Sequence, residues 1–159
     1  MTKIAWKPGT LLYPVPPALV SCGTVQQPNA LTIAWTGIVC SDPAMTYISL
    51  RPSRYSYGLI QASGEFAINL THAALARAAD FCGVRSGRDT DKFRQMGLEA
   101  EACTQISAPM IAQSPISLEC RVQQILPLGS HDMFLSRIVA VNVREDLVDA
   151  AGLHLERSG

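Results

Sequence analysis

The sequence predicts a mainly β fold, an antiparallel barrel or sandwich with small helices at its rim, and three observations carry that reading. Six or so runs of β-prone residues are spread along the 159 residues. Two pairs of these runs are separated only by turn-forming residues, as hairpins require. Most of the remaining links are too short to hold a helix that could cross over between parallel strands, which argues against a doubly wound sheet.

The elements follow in order. Residues 18 to 25 (ALVSCGTV) are apolar and β-prone, and Gln26-Gln27-Pro28-Asn29 supplies a turn before a second strand expected over 30 to 40 (ALTIAWTGIVC). Ser41-Asp42-Pro43 breaks the chain, and residues 45 to 50 (MTYISL) alternate as a third strand that Pro52 stops. Ser53 is a good N-cap for about two helical turns from Arg54 to Ala62, ended by Ser63-Gly64. Residues 65 to 70 (EFAINL) read as a strand and the alanine-rich 72 to 82 as a short helix. A loop with two glycines and two arginines, 83 to 89, leads to a helical stretch over 91 to 96 that Gly97 stops. Residues 116 to 126 and 133 to 143 are two long strands joined by PLGSHD, a second hairpin.

Composition narrows the function. The length fits one domain that needs no cross-links to fold. Thirteen basic and thirteen acidic residues cancel, so no global field recruits nucleic acid or an anionic membrane, and any anion site must be local. Four prolines before residue 18 interrupt the N-terminus, which does not read as a signal peptide, and no run approaches the ~20 apolar residues that span a bilayer. The expected location is the cytoplasm. Five scattered cysteines without a Cys-x-x-Cys pair read as reduced thiols, mostly core fillers, and no metal site is expected from them and the three histidines.

Against that neutral background, SLRPSRYSY at 49 to 57 concentrates two arginines, three serines and two tyrosines. Arg51 at a strand exit, beside the N–H groups of residues 54 to 56 at a helix start, makes a phosphomonoester pocket to which the Ser53 and Ser56 hydroxyls add donors. The plainer alternative is that Ser53 only caps its helix while the arginines are solvated. Arg85-Ser86-Gly87-Arg88 and Lys92 form a second cationic segment that an anion can share if the fold brings the two together. The usual phosphate fingerprints, G-x-x-x-x-G-K-[ST] and G-x-G-x-x-G, are absent. NALTIAWTG at 29 to 37 offers Asn29, Thr32 and Thr36 as polar groups for a planar heterocycle, or else is an ordinary buried strand with Trp35 in the core. His131-Asp132 either orients an imidazole at a site or simply forms a turn.

These motifs, with GEFAINL at 64 to 70, DFCGVRSGRDTDKF at 80 to 93, APMIAQSPISLEC at 108 to 120 and GSHDMFLSRI at 129 to 138, occur in an order that resembles the flavin reductase-like family, of flavoredoxin and flavin reductase type. The resemblance implies an antiparallel Greek-key split β-barrel that binds FMN. It places Asn29, Thr32, Ala34, Trp35 and Thr36 on the isoalloxazine side and Ser49, Arg51, Ser53, Tyr55 and Ser56 around the ribityl and phosphate groups. Asn69, Ser86, Gly87 and Lys92 match positions near the cofactor, and His131 matches a histidine near the reactive face.

The implied chemistry is hydride transfer from NADH or NADPH to flavin, with electrons passed on to free flavin, iron or a protein such as an oxygenase. FAD or riboflavin can stand as exchangeable substrates, and a homodimer is implied. The competing readings are an FMN-binding electron carrier or flavin store, and a degenerate barrel that binds nothing. Such proteins continue past the segment matching AAGLHLERSG with a tyrosine- and glycine-rich stretch, where this sequence stops at Gly159. The expected consequence of that difference falls on cofactor binding and dimerisation rather than on the fold.

Overall fold

The computed structural model describes residues 1–158. After residues 1–17, which carry no helix or strand and are almost wholly exposed, the first hairpin forms from β1 (Ala18–Gly23) and β2 (Pro28–Ile33). The expected single strand over 30 to 40 is in fact two. The chain leaves β1 at Ala34-Trp35 and resumes as β3 (Thr36–Ser41), which pairs instead with β4 (Ala44–Leu50). Helix α1 (Tyr55–Ser63) follows, then β5 (Glu65–Leu70), α2 (Ala76–Val84) and α3 (Lys92–Met96). Two dipeptide strands, β6 (Ala100–Glu101) and β7 (Met110–Ile111), precede the long hairpin of β8 (Ile116–Pro127) and β9 (Asp132–Val143), and β10 (Val148–Asp149) and β11 (Gly152–Leu153) end the chain.

Seven strands form one antiparallel sheet in the order β2-β1-β5-β8-β9-β4-β3. Its two outermost strands are consecutive in sequence. Laid flat, seven strands would hold their edges ~29 Å apart, whereas a two-residue link spans at most ~10 Å. The sheet must therefore curl until β2 and β3 meet, and the Ser49 N–H donates to the Trp35 carbonyl, 3.0 Å, tying the linker to β4. The result is a barrel left open along one seam.

Inside the barrel, Val20, Leu31, Ile48, Phe66, Ile68 and Phe134 pack around Ile60 of α1, whose helix carries the chain between β4 and β5. The outer face of β1 and β2 is covered as well, Leu19 and Ala30 packing against Leu75, Ala78, Cys82 and Phe93 of the α2–α3 region. Burial on both faces explains why β1 is an almost unbroken apolar run. A third cluster joins Ala67 of β5 to Ile106 and Ala108. All five cysteines are free, with Cys22, Cys82 and Cys120 buried, and burial pushes the thiol of Cys120 up to about 12. Among the described residues no helix is long and apolar enough to cross a membrane.

Helix boundaries follow local chemistry. Gly64 ends α1 in the left-handed region (φ 69°), its N–H bonding to the Ile60 carbonyl; Gly97 does the same for α3. Asp91 caps α3 by accepting from the Arg94 N–H, 3.0 Å. At α1 the expected Ser53 cap is not found. The Arg54 N–H closes a turn onto the Arg51 carbonyl, 3.0 Å, across Pro52, so the helix begins one residue later with Arg54 in the cap position and no side-chain cap.

Candidate functional site

Two adjoining cavities lie where β2, the β4 exit, the start of α1 and the loop after α2 converge. The smaller, about 160 Å³, is walled by Ile33, Ala34, Trp35, Ser49 and His131. The larger, about 280 Å³, is walled by Ser53, Tyr55, Ser56, Ser86 and Gly87 together with five cations: Arg51, Arg54, Arg85, Arg88 and Lys92. Leu31, Thr32, Arg51 and Arg54 belong to both walls. Among the described residues no carboxylate lines either cavity and none of the five cations has an ion-pair partner.

Four of the five cations are placed by separate local features. Arg51 follows directly on the last residue of β4, beside the Leu50–Asp132 pair that ends the β4–β9 ladder. Arg54 caps α1. Arg88 reaches across from the loop after α2 to donate to the Ser53 carbonyl, 3.4 Å, and so links the two basic segments. Lys92 is buried to 4% exposure and donates to the Ala30 and Cys82 carbonyls at 2.7 and 2.9 Å. An ammonium has three donors, and its presence in the cavity wall leaves the third for a ligand. Burial, with Arg54 adding to it against the opposing influence of Cys82 and Cys22, holds Lys92 below its ordinary value. An arriving anion reverses that penalty.

The loop closes tightly on its neighbours at Gly87. A Cβ there would stand 2.1 Å from Asn29 Oδ1 and 2.7 Å from Tyr55 Cδ1, so the position requires a residue without a side chain. Asn29 is itself fixed, donating to Ser56 Oγ at 2.7 Å and to Cys22 Sγ.

At the aromatic end, the Trp35 and His131 rings lie 4.5 Å apart between centroids, tilted by 45°. His131 Nδ1 pairs with Ser130 Oγ at 2.9 Å. Burial and then the positive charges of Arg51 and Arg54 hold its pKa below the ordinary histidine value, which favours the neutral ring. Tyr57 donates to Asp132 at 2.6 Å and pins α1 to the start of β9 next to this ring.

The structure thus gathers Thr32, Ala34, Trp35, Ser49, Arg51, Ser53, Tyr55, Ser56, Ser86, Gly87, Lys92 and His131 around the two cavities. It separates others. Asn69 is fully buried away from them, with its amide donating to the Leu19 and Ala67 carbonyls and Ser21 Oγ, and its oxygen accepting from the Ile111 N–H and Ser117 Oγ. It fastens β5 to its surroundings and has nothing left for a ligand. Asn29 lies behind Gly87 and Ser56 rather than in either wall, and the Thr36 hydroxyl is taken by the Tyr47 carbonyl, 2.6 Å. Thr32 spends its hydroxyl on the Ala79 carbonyl. The cap geometry also removes the Arg54 N–H as an anion donor, leaving those of Tyr55 and Ser56. Arg54, Arg85 and Arg88 emerge as further wall residues; the sequence carried them only as members of RPSR and RSGR, and their place in the wall depends on the fold.

The fold and the cleft together define an open antiparallel β-barrel with a cationic cavity beside an aromatic one. The sequence pattern of the flavin reductase like domain matches residues 10–158, and the chain belongs to the flavin reductase-like family. The structure is similar to that of flavoredoxin from Desulfovibrio vulgaris (Miyazaki F), with a TM-score of 0.86 and 33% identity over 96% of this chain and 82% of that one. The NADH-dependent FMN reductase AsuE2 of Streptomyces nodosus subsp. asukaensis is 27% identical over 84% of this chain and 71% of its own. An uncharacterized protein of Aeropyrum pernix is 31% identical over 86% of this chain, which spans only 52% of that relative's length.

Proposed function

We propose that the cleft binds FMN and that the chain is an NAD(P)H-dependent oxidoreductase of flavin reductase type. The observation that carries the reading is the set of five cations, unopposed by any carboxylate, around a cavity that adjoins the Trp35–His131 wall. A phosphomonoester dianion fits that donor set: guanidinium groups grip two oxygens at once, and Ser53, Ser86 and the first-turn N–H groups of α1 add neutral donors. Bound flavin supplies the hydride chemistry, and the protein supplies position and electrostatics. Lys92 and Arg51 hold the phosphate end. Trp35 and Ala34 wall the ring end, and His131, whose neutral form burial and the neighbouring arginines favour, borders it.

Membership of the family and the name of the Streptomyces relative support the reductase reading, while the flavoredoxin likeness favours a second one, an electron carrier without nicotinamide turnover. We place a homodimer here too: β3 is an edge strand on which Ile38 and Val39 are both exposed, beside exposed Trp35.

The deciding experiment is a visible absorption spectrum of the protein before and after addition of FMN and removal of excess, followed by anaerobic NADH and NADPH. About one flavin per chain that bleaches rapidly with either nucleotide is the expected result. Bound flavin that does not bleach leaves the carrier, and a colourless protein overturns both readings.

A further inference from the structure

A separate cavity, about 480 Å³, lies at the other end of the α2–α3 pair from the cationic cleft. Cys82 and Gly83 of α2 and Lys92 of α3 line the cleft, whereas Ala78 of α2 and Gln95 and Met96 of α3 line this cavity, and the two share no residue. Its volume exceeds that of either cleft cavity and falls in the roughly 300–1,000 Å³ range of small-molecule pockets. Its floor is apolar: Leu75, Ala78 and Leu98 are buried members of the cluster that packs on the outer face of β1 and β2, and half-buried Met96 joins them. Its edge is framed by Gln113, whose side-chain amide donates to the Gly97 carbonyl at 3.0 Å and whose side-chain oxygen accepts from the Glu99 N–H at 3.1 Å. The backbone carbonyl of the same residue accepts from His72 Nε2 at 3.2 Å, which fixes the imidazole in the wall. Two guanidinium groups complete the rim. Arg144 is neutralised by Asp146, at 2.6 and 3.0 Å. Among the described residues Arg77 makes neither an ion pair nor a side-chain hydrogen bond, and no carboxylate lines the cavity.

We propose that this cavity is a second ligand site, independent of the flavin cleft, that takes a monocarboxylate with a compact apolar body. The carboxylate pairs with Arg77 and the body covers the floor formed by Leu75, Met96 and Leu98. The count of charges sets the ligand class. Five uncompensated cations suit a phosphate, whereas the single free guanidinium here matches a monoanion, which it can grip through two parallel N–H bonds. The floor sets the body: seating an apolar group removes that surface from water, and the flexible Met96 thioether adapts to its shape and contacts an aromatic ring favourably. A metal does not suit the same walls, which offer one imidazole, already engaged, and no carboxylate or thiolate.

The test is calorimetric titration of the protein with benzoate and with its uncharged analogue benzamide, repeated with benzoate on Arg77→Gln, Ala74→Phe and Arg51→Ala. Melting curves show that the variants are folded, as the exposure of all three side chains leads one to expect. Wild type should bind one benzoate per chain, saturating at about millimolar concentration as befits so small a ligand. Replacing benzoate by benzamide, or Arg77 by Gln, should weaken binding about tenfold or more through loss of the charge-assisted pair. Ala74→Phe puts a ring at the cavity rim and should abolish binding, while Arg51→Ala, in the cleft, should leave it within about twofold. No saturable benzoate binding, or unchanged affinity in Ala74→Phe, overturns the site. Benzamide binding as tightly as benzoate overturns the carboxylate assignment. Binding lost in Arg51→Ala but kept in Arg77→Gln assigns benzoate to the cationic cleft and overturns the proposal as well. The flavin absorption experiment is decided separately, so either reading can fail while the other stands.

Discussion

Among the buried charged side chains, Glu119 and Lys92 are held on opposite terms. Glu119 of β8 is wholly buried, and its carboxylate accepts from the Thr104 N–H and hydroxyl, the Gln105 N–H and the Asn142 amide, at 2.7 to 2.8 Å. Burial pulls its pKa up, but those hydrogen bonds outweigh burial and the group sits below the ordinary glutamate value. Lys92 is nearly as buried, yet it has two carbonyl partners for three donors, an arginine for a neighbour, and is displaced away from its charged form. A saturated charge holds the chain together; an undersupplied one at a cavity wall is poised for a ligand.

The contrast breaks most visibly at Glu119. Glu119→Ala orphans the Thr104, Gln105 and Asn142 donors and releases the 102–107 segment from the sheet, and should cost about 3 kcal/mol or more by urea denaturation. Its folded pKa lies below the unfolded one, so the stabilisation is fully present above pH 4.5 and is lost as pH falls through the folded value. Glu119→Gln should lack that acid limb in a pH series of melts.

Next in size, Arg51→Ala should weaken FMN binding by about 1.5 to 3 kcal/mol through loss of a charge-assisted contact while leaving the melting temperature nearly unchanged, since Arg51 is exposed and unpaired. Unaltered FMN affinity would remove it from the phosphate site. Gly87→Ala is expected to cost about 1 to 2 kcal/mol of stability, and also to lower flavin affinity, because the new methyl must displace Asn29 or Tyr55. The smallest effect is one of pH. Phosphate binding favours protonated Lys92, so flavin affinity should decline a few-fold as pH rises, beginning below the ordinary lysine value of 10.5, and calorimetry across that range reads it directly.

How legible was all this in the sequence? The hairpins at 18–33 and 116–143 were, because alternation and turn residues are local signals. The split of 30–40 into β2 and β3 was not: no glycine or proline marks Ala34-Trp35, and the break comes from the chain changing partners across the barrel. Strands β6 and β7 are two residues each and exist only through tertiary pairing. Within the site, the clustering of SLRPSRYSY marked a cationic segment, yet whether the 85–92 loop joins it depends on α2 packing against β2, a long-range fact. Asn69 shows the converse: a buried amide and a ligand-facing amide look alike in sequence, and only its partners place it apart from the two cavities.

The placement of Trp35 gives the protein its own optical gauge. Of its two tryptophans, Trp6 lies on the exposed N-terminal segment and Trp35 borders the ring end of the cleft at the barrel's open seam. A yellow ligand seated there would lie within energy-transfer range of Trp35, so the indole emission reports occupancy of the cleft. In Trp6→Phe it does so alone, and the same signal registers the opening of the seam when the barrel comes apart.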